Sequence, residues 1–87
     1  SIKNYNFIHQ YLILLLISVI MAKIQLNGKK ISIKSNISIQ DLLKKYNLVN
    51  KKIAIEYNGA IIQKINYKKK YLKNNDKIEI VHFIGGG

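Results

Sequence analysis

A chain of 87 residues holds one domain, and its interior is too small for a deep catalytic pocket. It has no cysteine, which excludes disulfides, thiol nucleophiles and cysteine-based zinc sites, and its two histidines, His9 and His82, lie too far apart to foretell a metal cluster. Fifteen lysines and no arginine stand against four acids, Asp41, Glu56, Asp76 and Glu79, and the net charge of +11 opens a nucleic-acid or anionic-membrane reading.

Residues 11–20, YLILLLISVI, form an apolar run broken only by Ser18 and preceded by a polar stretch with one cation, Lys3. The run falls short of the ~20 residues that span a bilayer as a helix. It has the length of a signal-peptide apolar core, but the basic region before it is weak and no small-residue cleavage site follows. Met21, the sole methionine, stands just before the first patterned strand. Residues 1–20 are therefore read as an upstream translated leader or a signal-like apolar segment that is not part of the fold. Residues 21–87 are read as the domain, whose fourteen lysines less four acids leave +10.

In AKIQLNGKKISIK, Ile24 and Leu26 alternate with polar residues, Asn27-Gly28 follows, and Ile31 and Ile33 alternate again. Asn-Gly between two alternating runs predicts a hairpin, because both residues tolerate positive φ. The period then changes. Ile39, Leu42, Leu43 and Tyr46 lie on one face of a predicted helix, with Ser38 and Asp41 as a capping pair and Asn47 as the stop. KIAIEYNGAII predicts a strand through Ile53, Ile55 and Tyr57, a second Asn-Gly turn at Asn58-Gly59, and a short strand over Ala60–Ile62. The basic connection INYKKKYLKNND is expected to bring Tyr67, Tyr71 and Leu72 against the core and to turn at Asn74-Asn75-Asp76. KIEIVHFI is the last strand, with Ile78 and Ile80 inward and Glu79 outward. Continued alternation puts Val81 and Phe83 on the outward face and His82 and Ile84 on the core face. The expected class is α+β, a sheet with one face covered by a helix.

No acid pair, nucleophile–base pair or phosphate-cradling loop is evident, so the expected role is not enzymatic. The chemistry points to the tail instead. Gly85, Gly86 and Gly87 lack side chains, and such a segment can thread a narrow channel and present a carboxylate inside a partner protein. An enzyme using ATP can convert that carboxylate into an acyl-adenylate, and persulfide sulfur can displace AMP to leave a thiocarboxylate. An apolar surface formed by Val81, Phe83 and Ile84 beside the tail has the character of a docking site.

Residues 22–87 resemble the ThiS family, the small sulfur carriers of thiazole synthesis in the thiamine pathway. The resemblance is carried by IEIVHFIGGG (78–87), IEYNGAII (55–62) and NNDKIEI, where the family usually has a Gly-Asp turn. It implies a β-grasp (ubiquitin-like) fold, with a four- to five-stranded mixed sheet packed on one helix. It also implies a cytoplasmic protein whose Gly87 is adenylated and converted to the thiocarboxylate, with Gly85 and Gly86 as the tail. The implied partners are a ThiF-like adenylyltransferase, a ThiG-like thiazole synthase, and a sulfur donor such as a cysteine desulfurase persulfide. No cofactor is expected on the carrier itself, since ATP is used by the partner. The family commonly has Pro-Arg after NGAII, where Gln63-Lys64 stand here, and often Trp where Tyr67 stands.

Three alternatives share part of this pattern. The small sulfur carrier of molybdopterin synthesis also ends in Gly-Gly, and a ubiquitin-like modifier uses the same adenylate chemistry. A basic nucleic-acid-binding module would use Lys68, Lys69 and Lys70 between Tyr67 and Tyr71. Two features weigh against the last. Arginine, the usual bidentate phosphate and guanine ligand, is absent, and the 18 Ile, 15 Lys and 10 Asn have A/T-rich codons, so base composition accounts for much of the charge. Neither nucleic acid nor, for the folded domain, a membrane is therefore an expected partner.

Overall fold

The computed structural model describes residues 2–83, with side chains from residue 7 onward. Helix α1 spans Ile2–Ile20 and runs directly into strand β1, Met21–Leu26. Strand β2 is Lys29–Lys34, helix α2 Ile39–Lys45, β3 Ile53–Tyr57, β4 Ala60–Ile62 and β5 Lys77–His82, with a 3-10 turn over Lys64–Asn66. The five strands form one sheet in the order β2-β1-β5-β3-β4. Among the described residues only the β1–β5 pair is parallel, which makes the sheet mixed, and the strand order puts β5 at its centre. This is the expected β-grasp arrangement.

Both hairpins close on the predicted turns. Asn27 and Gly28 adopt φ of 47° and 83°, and Asn58 and Gly59 adopt 49° and 88°. Positive φ at both central residues matches the right-handed twist of the flanking strands.

Helix α2 is held at both ends by local chemistry. The Ser38 hydroxyl accepts from the Asp41 amide (3.1 Å) and the Asp41 carboxylate accepts from the Ser38 amide (3.0 Å), a full capping box. The Ser38 amide first, then the Ser38 hydroxyl, hold the Asp41 carboxyl below its usual range, and such a cap contributes about 1 kcal/mol. The next orphan donors are satisfied by the basic connection, where the Ile39 amide meets the Lys70 carbonyl (2.9 Å) and the Gln40 amide meets that of Tyr67 (3.1 Å). At the other end Asn47 takes φ of 57°, and the Leu48 amide reaches back to the Leu43 carbonyl (2.8 Å). That is a Schellman ending with asparagine in the usual glycine place.

Ile39, Leu42 and Leu43 of α2 pack on Ala22, Ile24, Ile33, Ile55, Ile78 and Ile80 of the sheet, with Tyr67 and Leu72 closing the side. Each fully buried aliphatic side chain of this kind contributes about 1.5–3 kcal/mol. Burial also raises the Tyr67 phenol above its ordinary range.

Three inward assignments, Tyr46 and His82 from periodicity and Tyr71 from the basic connection, do not hold. Tyr46, at the helix C-cap, is 42% exposed, because the chain leaves the helical path there. Tyr71 is 57% exposed: it bridges Ser38 in an extended segment, so it and its neighbour Leu72 face opposite ways, and Leu72 takes the interior. His82 is exposed as well. The seven residues of α2 reach roughly 10 Å, whereas the six of β5 reach roughly 20 Å, so the end of the strand passes beyond its cover. Ile84, placed on the same face, lies outside the described residues.

The apolar run 11–20 is the second half of α1. Among the described residues, none from α1 enters the core cluster. The Val19 and Ile20 carbonyls accept from the Ser35 hydroxyl and amide, each at 2.9 Å. No helix among the described residues is long and apolar enough to cross a membrane.

Candidate functional site

The site grows out of the far end of β5. Ile78 and Ile80 are buried and fix this strand to the core, while Val81 and Phe83 are 52% and 64% exposed. On one edge, antiparallel pairing with β3 continues through His82 opposite Ile53, and the Phe83 amide donates to the Lys52 carbonyl (3.0 Å). On the other edge, parallel pairing with β1 ends at Leu26 and Ile78, because β1 turns away into its hairpin. The Asn27 side chain takes over there. Its Oδ1 accepts from the Ile80 amide (2.6 Å) and its Nδ2 donates to the Ile80 carbonyl (3.4 Å).

The second Asn-Gly turn grips the start of the same strand. The Asn58 amide donates to the Lys77 carbonyl (2.8 Å), and Asn58 Oδ1 accepts from the Lys77 amide (2.7 Å). Beside it Asp76, only 2% exposed, accepts from the Tyr57 hydroxyl (2.7 Å), the Lys73 amide (2.9 Å) and Asn58 Nδ2 (3.1 Å). Burial first, then the bond to Asp76, push the Tyr57 phenol up to about 12 from an ordinary value of 10.0.

That shift has a definite sign. The unfolded chain releases the Tyr57 proton near pH 10 and the folded chain holds it to about pH 12. The stabilisation is therefore whole below pH 10 and is lost as pH rises through about 12. Tyr57→Phe is expected to be less stable than wild type at neutral pH by about 1–2 kcal/mol. The difference should narrow in urea titrations above pH 10, and a difference constant across that range would contradict the assignment.

The sheet face away from α2 divides by chemistry. On the β1–β2 side, outward positions carry Lys23, Lys30 and Lys34, with Lys77 joining from β5. On the other side Val81 lies opposite Ala54, and Ile61, 66% exposed, lies opposite Glu56. Glu56 and Glu79 are direct cross-strand partners. Like charges placed opposite each other destabilise a sheet, yet two of the chain's four acids stand there. The result is an apolar patch with a paired negative charge on an otherwise cationic molecule.

Val81 and Phe83, the docking residues expected from the sequence, thus reach this patch, while Ile84, Gly85, Gly86 and Gly87 lie outside the described residues. The alternative that used Tyr67 and Tyr71 as stacking platforms loses one of them, since Tyr67 is 5% exposed. Lys70, from the same basic run, places Nζ 4.4 Å from the centre of the Tyr57 ring. Among the described residues no three His, Cys, Asp or Glu side chains gather as a metal site.

The strand thus outruns its core and leads towards Gly85, Gly86 and Gly87 in the sequence. The sequence model of the ThiS family matches residues 20–87. The chain belongs to the ThiS family. The sulfur carrier protein ThiS of Bacillus subtilis is 49% identical over 65 residues, covering 74% of this chain and 98% of that protein. A thiazole synthase of Magnetococcus marinus is 37% identical over 65 residues, which are 75% of this chain and 20% of the synthase. The crystal structure of the ThiS protein from Geobacter metallireducens superposes with a TM-score of 0.66 at 22% identity, over 75% of this chain and 99% of that one. At that identity the likeness speaks for the β-grasp fold. The ThiS match takes in only Ile20 of α1.

Five residues of this ThiS-family domain have roles that the sequence did not reveal. Asn27 and Asn58 were visible only as turn formers, Asp76 only as a turn residue. The Glu56–Glu79 pairing needed the strand register, although an acid at an outward position of each strand was a signal in a chain so short of acids.

Proposed function

We propose that this chain is the sulfur carrier of thiazole formation in thiamine biosynthesis, acting in the cytoplasm as a protein co-substrate. The Gly87 carboxylate is the loading point. Its oxygen attacks the α-phosphorus of ATP held by a ThiF-like adenylyltransferase, and pyrophosphate leaves. The terminal sulfur of a persulfide, supplied by a cysteine desulfurase, then attacks the acyl carbon and displaces AMP. A thiol cleaves the resulting acyl disulfide, leaving a thiocarboxylate on Gly87 and a disulfide on the donor side. The thiocarboxylate delivers its sulfur to thiazole synthase. Apart from the Gly87 carboxylate, no group of the carrier makes or breaks a bond in this scheme. Ile78 and Ile80 anchor the strand, Gly85 and Gly86 extend the carboxylate from it, and Val81, Phe83 and Ile84 give the partner an apolar contact.

The observation that carries this reading is the course of β5. Its inward side chains Ile78 and Ile80 are buried, whereas Val81, His82 and Phe83 are all exposed, shortly before the glycines and within a family match that runs to residue 87. Support for the thiazole branch comes from the Magnetococcus synthase, a fifth of which resembles this chain. The Glu56–Glu79 pair gives the docking face a charge that favours a cationic partner surface.

Intact-mass measurement after incubation with the adenylyltransferase, ATP and a persulfide donor tests the proposal. The expected product is heavier by the exchange of one oxygen for one sulfur, localised to Gly87 by fragmentation. A chain that instead becomes joined to lysine side chains of other proteins would be a modifier, and the proposal would fall.

A further inference from the structure

Past Ile78, the β1-facing edge of β5 has no main-chain partner among the described residues, because β1 has already turned at Asn27-Gly28. The ladder nevertheless continues for one more residue. The Gln25 amide meets the Asp76 carbonyl and the Asn27 amide meets the Ile78 carbonyl, both at 2.9 Å. The next rung is made by a side chain, with Asn27 Oδ1 on the Ile80 amide at 2.6 Å and Nδ2 turned to the Ile80 carbonyl. A primary carboxamide carries the donor and acceptor of a peptide group, so it can stand in for a strand that is no longer there. Ile80 is also the last residue of β5 buried in the core. The last grip from the β1 side and the last packed side chain of β5 therefore fall on one residue.

We infer that Asn27 is a positioning residue for the tail. Its carboxamide fixes Ile80, so that Val81 to Phe83 run on along β3 in one direction and an adenylating partner meets the end of the strand already aligned. Without that grip the end of the strand is held from the β3 side only, and the freedom it gains must be given up again on docking. The effect falls on formation of the complex rather than on the bond-making step, since the bound tail is held by the partner. This inference rests on the sulfur-carrier reading.

The test uses the full chain and two variants. Asn27→Gly keeps a residue that accepts positive φ and removes both contacts to Ile80. Asn27→Asp keeps the turn and the acceptor and gives up only the Nδ2 donor. For Asn27→Gly, exchange of the Ile80 amide should speed up by at least about tenfold. KM for the carrier in ATP–pyrophosphate exchange should rise about five- to tenfold, with kcat within about twofold of wild type. Asn27→Asp should recover most of the KM. A purely structural asparagine would lower the urea midpoint and leave the KM of the folded protein unchanged, and that result overturns the inference. An Ile80 amide indifferent to the substitution overturns it too. Failure of the wild-type chain to be adenylated would bring down the carrier reading and this inference together, whereas equal KM values with a working wild type would remove the inference alone.

Discussion

A chain lacking Gly87 is expected to take up no AMP, with pyrophosphate exchange by the adenylyltransferase falling to background. Removing one residue moves the terminal carboxylate back by about 3.3–3.6 Å along an extended tail. Reacting atoms must come within about 3–3.5 Å of each other, and a misplacement of about 1 Å costs on the order of a hundredfold in rate. The body cannot slide forward to compensate, because Val81 and Phe83 set the depth of docking in the proposed complex. Stability should not change, since the deletion lies beyond β5, which ends at His82. A urea midpoint equal to wild type therefore accompanies the loss and separates it from unfolding. Charging of the truncated chain at the wild-type rate would place the reactive group elsewhere. A nucleic-acid module would be indifferent to the deletion, so unchanged salt-dependent binding to an oligonucleotide together with unchanged charging would point away from the carrier altogether.

Replacement of Asp76 should give the largest loss of stability of any single polar substitution in the domain. Asp76→Ala leaves the Tyr57 hydroxyl, the Lys73 amide and Asn58 Nδ2 without their acceptor. The expected cost is roughly 3–5 kcal/mol, against a total of roughly 5–10 kcal/mol for a domain of this size. Asp76→Asn is the sharper experiment. Oδ2 accepts from both Tyr57 and Lys73, and Oδ1 accepts from Asn58. An amide nitrogen in the Oδ1 position would face the Asn58 NH2 group. Asn58 cannot flip to relieve this, because its own oxygen already accepts from the Lys77 amide at 2.7 Å. With the amide turned the other way, its nitrogen would face the Lys73 N–H. Either orientation sets donor against donor, so the near-isosteric change should cost almost as much as alanine. Urea unfolding of both variants at neutral pH, with an unchanged m-value, measures it. A midpoint for Asp76→Asn close to wild type would show that the network tolerates a neutral acceptor.

Local chemistry made much of the fold legible. The two Asn-Gly turns, the Ser38–Asp41 capping box and the Asn47 stop each depend on residues within a few positions of one another, so the sequence alone displays them. Alternation was read correctly while the sheet was covered and wrongly where cover ran out. His82 obeys the period of its strand, but periodicity carries no information on how far α2 extends over that strand. Tyr71 failed for a related reason: its partner across the bridge is Ser38, and that pairing decides which of Tyr71 and Leu72 turns inward. The side-chain roles of Asn27 and Asp76 were hidden because Asn27 meets a partner 53 positions away and Tyr57 lies 19 positions from Asp76. The strand order, with β5 between β1 and β3, is long-range in the same way. At the candidate site, exposure of Val81 and Phe83 was foreseeable, while the opposed glutamates required the register.

The mismatch in length between α2 and β5 separates two properties that small proteins usually have to trade. Substitutions at Leu42 or Ile55 act on how firmly the body coheres, and substitutions at Phe83 act on what it is offered to. Because the strand overhangs its own interior, cohesion and presentation can drift independently, and a lineage can retune either without rebuilding the other.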